Sequence, residues 1–178
     1  MKKISGISLS VFIVLSAILC SCELLKEDND CDATKMDAPQ EPVIYLKVII
    51  PFPQAMIEYN TPERLLITGS IRKIYCSGKE SGNFTYNPTI YVSAESFNED
   101  NTGVFVLPQP YQYKFDNTKD KLIVICRVKA YLEGGDIYES EEIYQEFFYK
   151  DIKYNANEMK HYIEIRKDIL QWFEVTSR

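Results

Sequence analysis

Histidine occurs once in the chain, at His161, and tryptophan once, at Trp172. A histidine-rich zinc site is thereby excluded, and a Ser-His-Asp or Cys-His arrangement has to use this one imidazole. His161 alternates with Ile163 and Ile165, the pattern of a strand residue at the edge of a core, so we read it as structural. There is no Gly-Xaa-Ser-Xaa-Gly elbow and no glycine-rich phosphate loop. No Lys/Arg-dense run occurs, and the net charge is −6. The chain therefore lacks the electrostatic footprint of a nucleic-acid binder. No apolar run reaches the roughly 20 residues that cross a bilayer as a helix. No metal, cofactor or catalytic activity is expected.

What is present begins at the N-terminus. Met1-Lys2-Lys3 is a short basic region, and Ile7 to Leu19 is apolar apart from Ser8, Ser10 and Ser16, which together read as a secretory signal. Leu19-Cys20-Ser21-Cys22 follows, with Leu19 at −3 and the small Ser21 at −1 of Cys22. This stretch resembles the lipobox of bacterial lipoproteins. The resemblance implies cleavage after residue 21, a diacylglycerol on the Cys22 thiol and an acyl chain such as palmitate on its amine. Each buried methylene contributes about 0.8 kcal/mol, so several chains on one residue anchor it firmly. Lys26-Glu27-Asp28 resembles the export signal of Bacteroidota surface lipoproteins, which implies an outer-membrane location facing the exterior. The membrane is then the first partner.

Residues 22–42 are acidic and polar and close with Pro39-Gln40-Glu41-Pro42, so they read as a flexible tether before one domain spanning 43–178. Three cysteines lie beyond the lipobox. We expect Cys76 and Cys126 to pair, since both fall in expected strands. Cys31–Cys76 and three unpaired thiols are the alternatives.

The domain reads as an all-β antiparallel sandwich of about seven or eight strands, immunoglobulin-like or transthyretin-like. Ile44, Leu46, Val48 and Ile50 alternate with polar neighbours. A second strand region covers about Leu65 to Ser77, with Gly69 as a bend or bulge and Ile74 and Cys76 on one face. Phe84 to Ala94 contains Pro88, which makes it an edge strand or two short pieces. Tyr111, Tyr113 and Phe115 alternate as an aromatic face. Leu122, Val124, Cys126, Val128, Ala130 and Leu132 share one face, and Gly134-Gly135 turns the chain into a hairpin. Pairing across that turn sets Tyr131 opposite Tyr138 and Arg127 opposite Glu142, with Glu139 and Glu141 inward at a bulge or a projecting tip. Ile143, Gln145, Phe147 and Tyr149 fit a strand better than a helix. Asp168 to Phe173 reads as a helical turn packing Trp172.

Two polar groups invite a chemical reading and are judged structural. Asn98, Asp100 and Thr102 are spaced like half a calcium loop, but the twelfth position is Gln109, so a polar turn is expected. Glu139, Glu141 and Glu142 lack the cleft that a glycosidase carboxylate pair needs. The sequence holds 13 tyrosines. Tyr111, Tyr113, Tyr131 and Tyr138 are the expected exposed, ligand-facing aromatics, suited to a glycan or a protein. The function expected is a lipid-anchored, non-catalytic recognition module. The alternative is an assembly subunit, such as a fimbrial anchor or envelope-complex component, recognisable by an open sheet edge.

Overall fold

A computed structural model describes residues 31–58 and 61–175. The signal segment 1–21, Cys22 and Lys26-Glu27-Asp28 lie outside the described residues. The fold is an all-β sandwich. Its first sheet contains β3 (Pro62–Ile74), β4 (Glu80–Tyr86), β5 (Thr89–Tyr91), β9 (Lys121–Leu132), β10 (Ile137–Ser140), β11 (Ile143–Phe148) and β14 (Trp172–Glu174). The order is β14-β10-β9-β3-β4, with β11 continuing β10 along β9 and β5 continuing β4 along β3. The second sheet contains β2 (Val43–Pro51), β6 (Thr102–Val106), β7 (Tyr111–Gln112), β12 (Lys153–Asn155) and β13 (Lys160–Arg166). Its order is β12-β13-β2-β6, with β7 also on β2. A small patch joins β1 (Lys35–Gln40) to β8 (Phe115–Asn117), and one short helix, α1, covers Gln54–Glu58. Pairing is antiparallel except between β2 and β13, which run parallel from His161 beside Ile44 to Arg166 beside Ile49.

The core follows from strand alternation. Ile44, Leu46, Val48 and Ile50 of β2 and Ile163 and Ile165 of β13 are buried with Leu65, Ile67 and Ile71 of β3 and Leu122, Val124, Cys126 and Val128 of β9. Burying each large aliphatic contributes about 1.5–3 kcal/mol. Pro88 splits its edge region into β4 and β5, and its carbonyl accepts from Ile67 N–H at 3.0 Å. Residues 143–148 form a strand, as their alternation indicates.

Several details differ from the sequence reading. Gly69 marks a close approach, since a Cβ there would lie 1.9 Å from Ile125 O and 2.6 Å from Tyr86 Oη. The register shifts of β3 fall between Ile71 and Lys73 and between Pro62 and Arg64. Trp172 sits in strand β14, not in a helical turn. Its ring packs 4.8 Å from Phe52, and Nε1 donates to Pro51 O at 3.2 Å. The hairpin register is one residue away from that expected: Tyr131 faces Ile137 and Tyr138 faces Ala130. The compensating slip comes after Ser140, because Ile143 is back opposite Cys126. Ser140 Oγ fills the gap by accepting from Val128 N–H at 2.9 Å.

The expected tether is ordered from Cys31, and the expected disulfide is replaced by another. Cys31 bonds Cys76 across a sequence separation of 45, while Cys126 is a buried free thiol. The reason is positional. Cys126 points into the core from the middle of β9, whereas β3 ends at Ile74 and Cys76 lies beyond the sheet. Burial pushes the Cys126 thiol up to about 12, against a smaller opposing effect of its hydrogen bond with Tyr86.

At that same end of β3 the inward alternation of Leu65, Ile67 and Ile71 continues to Lys73. Its ammonium and the Asp120 carboxylate meet at 2.9 Å, both side chains only 2 % exposed. Lys73 also donates to Lys114 O and lies 4.0 Å from the Tyr75 ring centroid. Asp120 accepts from the backbone N–H groups of Cys76 at 2.9 Å, Asp116 at 3.0 Å and Asn117 at 3.2 Å. Asn117 Nδ2 donates to Cys31 O at 2.5 Å, and Thr118 N–H donates to Thr34 O at 2.9 Å. Burial alone pushes the Asp120 carboxyl up; Lys73 and the N–H donors outweigh it and hold the group below its ordinary value.

Three outcomes are expected. Non-reducing peptide mapping finds Cys31 joined to Cys76 and Cys126 reactive only after unfolding. Asp120→Ala strands a buried ammonium and costs about 3–5 kcal/mol in denaturant titration. The native contribution of Asp120 is complete above the unfolded carboxyl value of about 3.9 and is lost as pH falls through the lower folded value. The acid limb of the stability profile therefore shrinks in Asp120→Asn.

Candidate functional site

The four tyrosines expected to face a ligand do not form an exposed strip. Tyr111 and Tyr113 are only 4 % and 5 % exposed. Pairing of β7 with β2 sets Tyr111 beside buried Ile44, which turns the whole aromatic alternation inward. Tyr113 Oη donates to Ile71 O at 3.0 Å, and Phe84 packs edge-on to it at 5.8 Å. Tyr111 Oη is buried and has no hydrogen-bond partner among the described residues. Burial pushes both hydroxyls, and that of Tyr86, above their ordinary value. Tyr138 packs against the core, as its position opposite Ala130 requires. Tyr131 lies half-buried under Arg64, whose guanidinium carbon is 4.2 Å from the ring centroid.

The polar candidates are engaged elsewhere. Glu139 meets Arg127 and Lys129, each at 3.7 Å; Glu142 meets Arg127 at 3.4 Å; Glu141 meets Lys167 at 3.8 Å. The Asn98–Thr102 segment is a tight turn closed by Asn98 N–H on Thr102 O at 2.9 Å, with Asp100 accepting from Thr102 N–H at 3.1 Å. His161 packs on Tyr154, ring centroids 5.0 Å apart. Among the described residues no cluster of His, Cys, Asp or Glu is arranged to hold a metal. No helix among them is long and apolar enough to cross a membrane.

The site that the structure does offer lies on the open flank of the sandwich, between β11 and β13. It is a cleft of about 750 Å³ walled by Tyr144 and Glu146 on one side, Glu164 and Arg166 on the other, with Lys150 and Lys153 at one end. Its backbone geometry follows from strand parity. Val128 N–H reaches Ser140 and Leu132 N–H reaches Asp136 O, so the even-numbered backbone groups of β9 point toward β10 and β11. Their partners Ile143, Gln145 and Phe147 must turn toward β9. Tyr144, Glu146 and Phe148 consequently turn their N–H and C=O groups outward. Asp151 accepts the Phe148 N–H at 2.8 Å. No strand among the described residues pairs with the outward side of Tyr144 or Glu146.

Across the cleft, Lys167 N–H donates to Ile49 O, so the odd positions of β13 face β2 and the even ones face the cleft. Tyr162 is paired with Lys153 of β12. The Gln145 carboxamide holds Arg166 from both sides, donating to its carbonyl at 2.6 Å and accepting from its N–H at 3.2 Å. A side-chain amide thus stands where a neighbouring strand's peptide group would. Glu164, between these two, turns its outward backbone groups to the cleft, where no strand among the described residues pairs with them.

Two of the three carboxylates that line the cleft are paired with cations; the third, Asp151, accepts only the Phe148 N–H among the described residues. Glu146 accepts from Lys121 at 2.8 Å and from Tyr144 Oη at 2.7 Å, and these partners, Lys121 first, hold it below the usual carboxylate range. Glu164 is held down in the same way by Lys153, and by Lys47 at 3.6 Å. Two cations are matched weakly or not at all. Lys150 has no ion-pair partner among the described residues, and Arg166 meets only the exposed Asp168, at 3.8 Å.

No protein-family model, curated protein or solved structure matches the chain. None of the cleft residues was singled out in the sequence. The available signal was Gln145, a polar side chain at an inward position between Ile143 and Phe147. Gln145→Leu is expected to cost about 1 kcal/mol by removing the crossbar to Arg166. Hydrogen exchange checks it: the Arg166 amide accelerates while that of Ile165 does not.

Proposed function

We propose that the chain is a lipid-anchored cell-envelope protein, exported to the outer surface, that serves as a non-catalytic binding subunit of a protein assembly. The membrane part of this reading rests on Leu19-Cys20-Ser21-Cys22 and on Lys26-Glu27-Asp28. The binding part rests on one observation, the cleft whose walls carry outward backbone groups at Tyr144, Glu146 and Glu164. A strand edge of this kind is a template for another chain. The recognition module for glycan or protein that the sequence put first relied on an exposed strip containing Tyr111 and Tyr113, and their burial removes its main support. A catalytic reading is weakened by the same arrangement, since Glu139, Glu141 and Glu142 are each committed to a cation.

Cys22→Ser is expected to abolish metabolic labelling with a radioactive fatty acid and to move the protein into the soluble fraction. Unchanged labelling would remove the anchor. Protease treatment of intact cells is expected to cleave the wild-type domain. Envelope proteins extracted with it in detergent should be lost from Lys150→Ala, Arg166→Ala; equal recovery with that variant means that the cleft is not the binding surface.

A further inference from the structure

Resting on the binding role just proposed, we infer that the cleft takes an extended polypeptide segment with acidic side chains, which adds as a strand to the outer edge of β11. Three observations converge on this occupant. First, β14 already lies beside β10, where Tyr138 faces Glu174 and Ser140 faces Trp172, and its line ends where Gln171 O accepts from Glu141 N–H at 2.9 Å. Although Arg166 and Lys167 reach Gln145 and Glu141 from the chain before β14, no strand among the described residues pairs with the outer side of β11, and the sheet itself goes on to Phe148. A strand entering here extends an existing row and meets the outward N–H and C=O groups of Tyr144 and Glu146.

Second, the opposite wall accepts amides. Arg166 is bonded through both backbone groups to the Gln145 carboxamide, so β13 takes a peptide-like partner in this geometry. Third, the charges select the sequence. Glu146 and Glu164 are satisfied by lysines and Asp151 accepts the Phe148 N–H, whereas Lys150 has no ion-pair partner among the described residues and Arg166 only the exposed Asp168, in a protein that is acidic overall. A strand carrying aspartate or glutamate complements them, and a basic strand meets repulsion.

The full chain in detergent is titrated with a capped peptide of about seven residues that alternates valine with aspartate, a typical strand length. The controls are its lysine counterpart and a copy N-methylated at every internal residue. The aspartate peptide is expected to bind about tenfold or more tighter than either control, the factor that one net hydrogen bond or charge contact contributes. It should also slow hydrogen exchange at the Tyr144 and Glu146 amides. Tyr144→Pro removes an outward N–H and no ladder bond to β9, so it should stay folded by circular dichroism and lose about tenfold in affinity. Lys150→Glu combined with Arg166→Glu should reverse the preference toward the lysine peptide.

Equal binding of the N-methylated copy, or indifference to Tyr144→Pro in a folded protein, overturns strand addition. If no peptide binds but soluble envelope glycan shifts the cleft amides, strand addition fails and a binding role survives in another form. If neither shifts them, and the cleft variant keeps the wild type's co-extracted proteins, both fail.

Discussion

The buried Lys73 and Asp120 pair fixes the end of the molecule on which the N-terminal segment depends. Removing two opposite charges from water costs several kcal/mol per ion, and their attraction repays it only when the remaining hydrogen-bonding capacity is also met. Here it is met: three backbone N–H groups converge on the carboxylate, and the ammonium has a carbonyl and an aromatic face besides. Those donors come from the chain after β3 and from β8, and the carboxylate itself from the turn between β8 and β9. One ion pair therefore holds three chain segments in register, and Asn117 then extends the hold to Cys31. The aliphatic core has no such directional demand. It drives the sheets together without specifying how the chain outside them is tied.

The cleft is the converse feature, a place where pairing demand is left open. In a sandwich the two sheets end at flanks, and a flank with free strand edges is a liability unless it is covered or charged. The other end of the first sheet consists of the short β4 and β5 separated at Pro88, which blunts it. At the β11 flank the protection is electrostatic, through Lys121, Lys150 and Lys153, together with the Gln145 crossbar. These devices discourage a second acidic copy less than a basic one, and they leave Tyr144, which is 51 % exposed, at the mouth.

How much of this was legible from residues alone depended on whether a pattern was local. β2 and β9 were readable because unbroken alternation of large aliphatics fixes both strand and face. The aromatic alternation of Tyr111, Tyr113 and Phe115 was equally plain, but period two does not say which face is inward. That was decided by pairing with β2, far away in sequence. The β9–β10 hairpin was recognisable from Gly134-Gly135, and the inward placing of Glu139 and Glu141 signalled a bulge or a projecting tip, but not that the register slips after Ser140. Alternation from Leu65 through Ile71 points Lys73 inward, and the sequence reading, which grouped Ile74 with Cys76 on one face, did not follow it that far. The cysteine pairing failed for the same reason, since strand membership does not fix the depth of a side chain. The cleft was invisible because it is made of backbone groups, which every residue carries.

The bond between Cys31 and Cys76 also has a mechanical consequence. A pull applied from the N-terminal side enters the described fold at Cys31 and crosses the sulfur bridge directly to Cys76, next to the central strand β3. Residues 32–75 form a closed covalent loop and carry none of that tension. The β1–β8 patch, whose β1 lies inside that loop, is shielded from being peeled away. Reducing the bridge would move the point of attachment to β1 and change how force reaches the sandwich without altering a single core contact.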